Sequence, residues 1–244
     1  MTDKPSVLRE TDEEARQQAR RLLRGARFAS LAVIDAESGF PAVSRTLLGI
    51  DLDGVPVILV SALAAHTGSL AADPRCSIMT GEPGKGDPLA HPRITVFCTA
   101  ELVEPGSDDH RRIRARFVAR HRKAELYVDF PDFRFLRLVP SSASLNGGFG
   151  KAYVLPGEDL TIRNSSFAPE WLALQNLTGH MSAEANAIAK ALKAPINEDW
   201  RICGADMAGI DLIHADILIR YEFEEPILVP NEILDRISNF PKTS

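Results

Sequence analysis

The chain has 244 residues, enough to bury a sizeable core as one large domain or as one domain with a small appendage. It is 45% hydrophobic and 25% charged with a formal net charge of -5, which excludes a disordered chain and a basic nucleic-acid surface. Asp12, Glu13 and Glu14 interrupt an N-terminus without an apolar core, and no segment reaches membrane-spanning length, so neither a secretory signal nor a membrane partner is expected.

Thr11 followed by Glu14 has the form of a capping box. Ala15, Ala19, Leu22 and Leu23 then recur at helical spacing until Gly25, which predicts a first helix. Phe28 to Asp35, Ala42 to Asp51 and Val55 to Ser61 are strand-like runs separated by Glu37-Ser38-Gly39 and Asp51-Leu52-Asp53-Gly54, so three strands in a meander are expected. A short helix from His66 to about Ala72 follows. Arg75 to Thr80 and Arg93 to Glu104 are two further strands, joined by the loop Glu82-Pro83-Gly84-Lys85-Gly86-Asp87-Pro88. Asp108 to Leu126 is a helix rich in arginine, expected to be solvated because Asp108, Asp109 and Glu125 dilute its charge. Phe133 to Val139 alternates as a strand and leads through Asn146-Gly147-Gly148-Phe149-Gly150 into a short strand near Ala152 to Leu155. Five or six short antiparallel strands with few helices imply a small closed barrel, since closure removes exposed edges.

Composition changes after Pro156, and Glu158 to Ser166 is expected to be a linker. Pro169 to Lys193 carries a helical pattern with Trp171, Leu174, Leu177 and Met181 near one face. Trp200 to Asp206, Gly209 to Ile213 and Ile217 to Phe223 are expected strands, and Asn231 to Phe240 a closing helix. The expected domains are therefore residues 1–157 and a small α+β module at residues 167–244.

The histidines at 66, 91, 110, 121, 180 and 214 show no paired-ligand spacing, and no Gly-x-Ser-x-Gly elbow is present, so neither a metal site nor a nucleophilic triad is expected. Cys76, Cys98 and Cys203 form no CxxC and fit buried thiols in a reducing, cytoplasmic setting. The chemical signal lies in Val57-Ile58-Leu59-Val60-Ser61 and Ala65-His66-Thr67-Gly68-Ser69-Leu70, a strand that breaks into a hydroxyl-rich turn opening a helix. Such a turn gathers unpaired N–H groups, so Ser61, His66, Thr67 and Ser69 either cradle an anion or simply cap the helix. Arg45, on the preceding strand of the meander, could bring a guanidinium to the same place.

In order and spacing these residues resemble the FMN-binding split barrels related to pyridoxamine 5'-phosphate oxidase. The shared positions include Pro41-x-x-Ser44-Arg45, Ser61-x-Leu63-x-x-His66-Thr67-x-Ser69-Leu70-x-x-Asp73-Pro74, His91-Pro92-Arg93-Ile94-Thr95, Asp132-Phe133 and Gly147-Gly148-Phe149-Gly150-Lys151. Gly179-His180-Met181 and Ala208-Gly209-Ile210-Asp211 are similar to the small domain of the haem-utilisation branch. The resemblance implies a mostly β chain with helices: a six-stranded antiparallel split β-barrel followed by a small α+β domain, forming a homodimer with the cofactor site between protomers. It further implies a flavoprotein oxidoreductase acting on a small molecule, with Arg45, Ser61, His66, Thr67 and Ser69 holding the FMN phosphate. His66 stands where the oxidases usually carry lysine, which makes that grip pH-dependent. Two alternatives follow from the same resemblance: a haem-binding or haem-degrading protein with His180 as a possible iron ligand, and a non-catalytic binding partner in tetrapyrrole metabolism.

Overall fold

The computed structural model describes residues 8–148, 150–162, 169–196 and 198–241. The helices are α1 (Glu13–Arg24), α2 (Ala65–Ala72), α3 (Asp108–Arg120), α4 (Pro169–Thr178), α5 (Ser182–Ala191) and α6 (Pro230–Ser238). The strands are β1 (Phe28–Ile34), β2 (Pro41–Leu47), β3 (Gly49–Ile50), β4 (Pro56–Ser61), β5 (Arg75–Thr80), β6 (Arg93–Leu102), β7 (Phe133–Asn146), β8 (Ala152–Pro156), β9 (Arg201–Asp206), β10 (Gly209–His214) and β11 (Ile217–Glu222). Two compact units result. The first draws its described residues from Met1–Leu48, Val55–Val103 and Phe130–Thr161, and the second from Gly49–Gly54, Glu104–Asp129 and Ile162–Ser244. The division is therefore not a single cut in the chain: α3, which lies between β6 and β7 in sequence, groups with the C-terminal residues. Among the described residues no helix is long and apolar enough to cross a membrane.

The first unit is an antiparallel split barrel. Its strands run in the order β2-β1-β5-β6-β7-β4, with β8 added to β7, and β2 and β4 come together at the two ends of that order. Alternation decides which face is core: Leu31, Ile58, Ile78, Ile94, Val96 and Leu138 are fully buried. The opposite face leaves Val43, Leu47, Met79 and Phe97 exposed. The N-cap of α1 is Asp12, whose carboxylate accepts from the Ala15 N–H, while the Thr11 hydroxyl donates to the Val154 carbonyl. The sequence assigns that cap to Thr11; with its hydroxyl engaged across the barrel, the neighbouring carboxylate faces the positive helix end instead. Strand β7 also outruns its expected end at Val139. Cys98 pairs with Pro140 and Phe97 with Ser142, so a bulge at Ser141 absorbs the proline and the ladder continues to Asn146. Gly157 packs on this bulge so closely that a Cβ there would lie 2.1 Å from the Pro140 carbonyl oxygen, which only glycine permits. Gly148 and Gly150 take positive φ in the turn to β8, and Phe149 lies outside the described residues.

The second unit folds around the sheet β11-β10-β9. Trp171, Leu174, Ile188, Trp200, Ile210, Leu212, Ile233 and Ile237 form its core together with Leu52. The expected single helix over 169–193 is two helices. The Thr178 hydroxyl turns back to the Leu174 carbonyl at 3.0 Å, Gly179 follows, and the chain bends through His180 and Met181 before α5. Leu177, expected on the buried face, is exposed at this break.

The arginine-rich helix is the larger correction, because one side of it is core. Arg112, Arg116 and Arg120 recur every four residues on a single stripe of α3, and each is buried. Arg112 forks onto Asp51, both nitrogen–oxygen distances being 2.9 Å. Arg116 donates to the Ile50 and Ala205 carbonyls at 3.1 and 2.7 Å and lies 3.7 Å from Asp206. Arg120 approaches Asp211 at 3.5 Å. From β11, Arg220 meets Asp206 at 2.7 Å and Asp211 at 2.9 Å. Burial pushes the Arg112 pKa down, but the hydrogen bonds and charge of Asp51 more than reverse this and hold it above its ordinary value. The two acidic residues at the helix start divide: Asp108 pairs with the exposed Arg111, whereas Asp109 joins the stripe by accepting a hydrogen bond from Arg112 at 2.5 Å.

Removing one member of such a network leaves its partners charged and buried, at a cost of about 3–5 kcal/mol. Asp206→Asn should therefore destabilise the second unit by about that amount, whereas Arg111→Met at an exposed pair should change it by less than about 1 kcal/mol. Both tryptophans lie in this unit's core, so urea unfolding followed by tryptophan fluorescence reads the difference.

Candidate functional site

The strand-to-helix turn forms as its sequence suggests, but its polar groups are engaged with one another. Strand β4 ends at Ser61, whose hydroxyl donates to the Asp132 carboxylate at 2.7 Å and accepts the Leu63 N–H at 3.2 Å. The Ser61 carbonyl accepts from the Thr67 hydroxyl at 2.6 Å and from the Ala64 N–H at 3.1 Å. The Ala62 N–H bonds the Asp132 carbonyl, so the turn is fastened to the chain just ahead of β7. Ala64 precedes α2 with no side-chain cap, and Ser69 lies on the buried side of the helix. Thr67 thus stabilises the turn rather than facing outward with a free hydroxyl.

Alternation along β2 separates two residues that the sequence places together. Ser44 lies on the side of β2 that meets α2, and its hydroxyl lies 3.2 Å from the His66 Nδ1. Arg45, the next residue, stands on the other face in register with Ser30, and its guanidinium carbon sits 5.1 Å above the Phe28 ring. Arg45 and His66 therefore do not converge on one point. His66 is half-buried, and that burial lowers its pKa and favours the neutral ring. His180 is exposed in the bend between α4 and α5, in the second unit. Ser44 and Asp132 were not singled out as site residues from the sequence. The available signals were the parity of Ser44 with the inward-facing positions of β2 and the recurrence of Asp132 within the family pattern. Among the described residues no group of three or more His, Cys, Asp or Glu side chains could hold a metal ion.

The sequence pattern of the pyridoxamine 5'-phosphate oxidase family matches residues 15–146, just over half of the chain. The chain belongs to that family. Within the family it falls in the haem-utilisation branch. It is 31% identical over 133 residues to the heme oxygenase HutZ of Vibrio cholerae, a match covering 53% of this chain and 74% of that protein. It is 32% identical over 120 residues to the chloroplastic heme oxygenase HOZ of Arabidopsis thaliana, covering 49% of this chain and 36% of that one. The chain thus spans only about a third of HOZ. Among solved structures, the Agrobacterium tumefaciens protein Atu2129, of unknown function, superposes with a TM-score of 0.75 at 30% identity over 93% of this chain and 95% of that one. A heme binding protein from Mycobacterium smegmatis gives a TM-score of 0.56 at 26% identity over 98% and 97% of the two chains.

The turn does not fit the phosphate of FMN. A phosphate dianion needs cations and free donors, whereas here the Ser61 hydroxyl is bonded to a carboxylate, Thr67 faces the Ser61 carbonyl and Arg45 lies on the opposite face. Iron, in contrast, is bound by the neutral form of imidazole, the form that burial favours for His66.

The buried imidazole also carries a stability signature. Because its pKa is lower in the fold than in the unfolded chain, the unfolded state binds the proton first as pH falls below about 6.5, and the fold loses stability until pH passes the folded value. His66→Gln should flatten the unfolding midpoint between about pH 7 and pH 5 relative to the parent chain. A parallel slope in both proteins would remove His66 from that role.

Proposed function

We propose that this chain is a haem-binding protein whose activity is oxidative haem degradation. The observation that carries this reading is the turn after β4, where a carboxylate, Asp132, occupies hydrogen-bonding contact with the hydroxyl that a flavin phosphate would need. The names of HutZ, HOZ and the Mycobacterium smegmatis protein support it from outside the chain. Haem, when bound, supplies a redox-active iron and a macrocycle open to oxidation. The chain's own contribution would be an imidazole to hold the iron. His66, oriented by Ser44, and His180 are the two imidazoles to compare. A second copy of the chain is the expected partner, supported by the apolar side chains Val43, Leu47, Met79 and Phe97 left exposed on one face of the barrel. Its three free thiols support a reducing, cytoplasmic setting.

Titrating the full chain with haemin should give a saturable Soret band, and titration with FMN should give no saturable quenching of flavin fluorescence. The variants His66→Ala and His180→Ala then identify the ligand, since the one that supplies it shifts the Soret and visible bands. Tight FMN binding without a Soret change would return the chain to the flavin oxidoreductases, and no change with either compound would make it a binding module.

A further inference from the structure

The second unit carries a cavity unrelated to the turn after β4. It has a volume of about 370 Å³ and lies between β11 and the end of α6, lined by Tyr221, Glu232, Asp235, Arg236, Asn239 and Phe240 among others. Tyr221 and Phe240 stand edge to face, with centroids 5.4 Å apart and planes at 88°, and both are anchored on the unit's core. Their position is therefore fixed by packing. Across from them, α6 presents Glu232, Asp235 and Arg236 at relative positions i, i+3 and i+4, all exposed, and among the described residues neither carboxylate is in an ion pair. Asn239 caps the helix with its N–H on the Asp235 carbonyl, so the last-turn carbonyls add partial negative charge at the same end.

Aromatic faces, two uncommitted carboxylates and a helix C-terminus together favour a positive charge that can also lie against a ring. A bare metal ion gains nothing from the rings. A guanidinium or primary ammonium on an organic body uses both kinds of wall: the charged head pairs with Glu232 and Asp235, whose two charges outweigh that of Arg236, while its hydrocarbon neighbours cover Tyr221 and Phe240. We propose that this cavity binds the cationic head of an organic amine or guanidine, carried either by a small free amine or by an arginine or lysine side chain of a polypeptide. The volume is within the range of small-ligand sites.

Calorimetric titration of the full chain with agmatine, with acetyl-arginine methylamide and with L-glutamate tests the site. Saturable binding of the two guanidines, weakened by added salt, and none of glutamate are expected. Tighter binding of agmatine assigns the site to free amines, and tighter binding of the capped arginine assigns it to a polypeptide side chain. The double substitution E232Q and D235N alters only exposed helix positions and should lower affinity at least tenfold with an unchanged melting temperature. Tyr221→Phe should retain binding and Tyr221→Leu should weaken it. No saturable binding of either guanidine, or equal affinity in the parent and the E232Q and D235N chain, overturns the proposal.

Discussion

The second unit depends on the buried arginine stripe of α3. Arginine is seldom sequestered from water, because losing hydration costs more than a single ion pair returns. Here three guanidiniums on one helix face meet Asp51, Asp206, Asp211 and two backbone carbonyls, while Arg220 enters from the sheet to share the last two carboxylates. The fork of Arg112 on Asp51 has a directional consequence. It fixes the Gly49–Gly54 segment against α3, and Leu52 in that segment enters the same apolar core as Trp171 and Trp200. Charge pairing and hydrophobic burial thus select the same arrangement.

In the first unit the controlling constraint is the two-residue period of β2. That period puts Ser44 against His66 and sends Arg45 to the far side with Phe28. The chemistry presented at α2 is consequently that of an imidazole beside the Ser44 hydroxyl, without the Arg45 guanidinium. A split barrel in this family does not by itself decide which cofactor is held.

Much of the barrel was legible because alternation and turn residues are local signals. The strand from Arg75 to Thr80 and the glycine stop after α1 follow directly from them. What was not legible depended on distant partners. Nothing local distinguishes a solvated arginine helix from a buried one until Asp51, Asp206 and Asp211 are brought to it from other segments. Pro140 reads as a strand end because the bulge opposite Phe97 and Cys98 is set by pairing, not by the strand's own residues. At the candidate site, Ser61, His66 and Thr67 were recognised by residue type, but their mutual hydrogen bonds, and the presence of Asp132 across from Ser61, required the fold.

The placement of α3 between β6 and β7 in the chain bears on how the gene can be divided. A fragment beginning after β8 would retain Arg220, Asp206 and Asp211 but lose Arg112, Arg116, Arg120 and Asp51, leaving two buried carboxylates with a single guanidinium to neutralise them. The small unit therefore cannot be inherited or transplanted as a C-terminal cassette: its electrostatic half is encoded inside the barrel, and the two must be carried together.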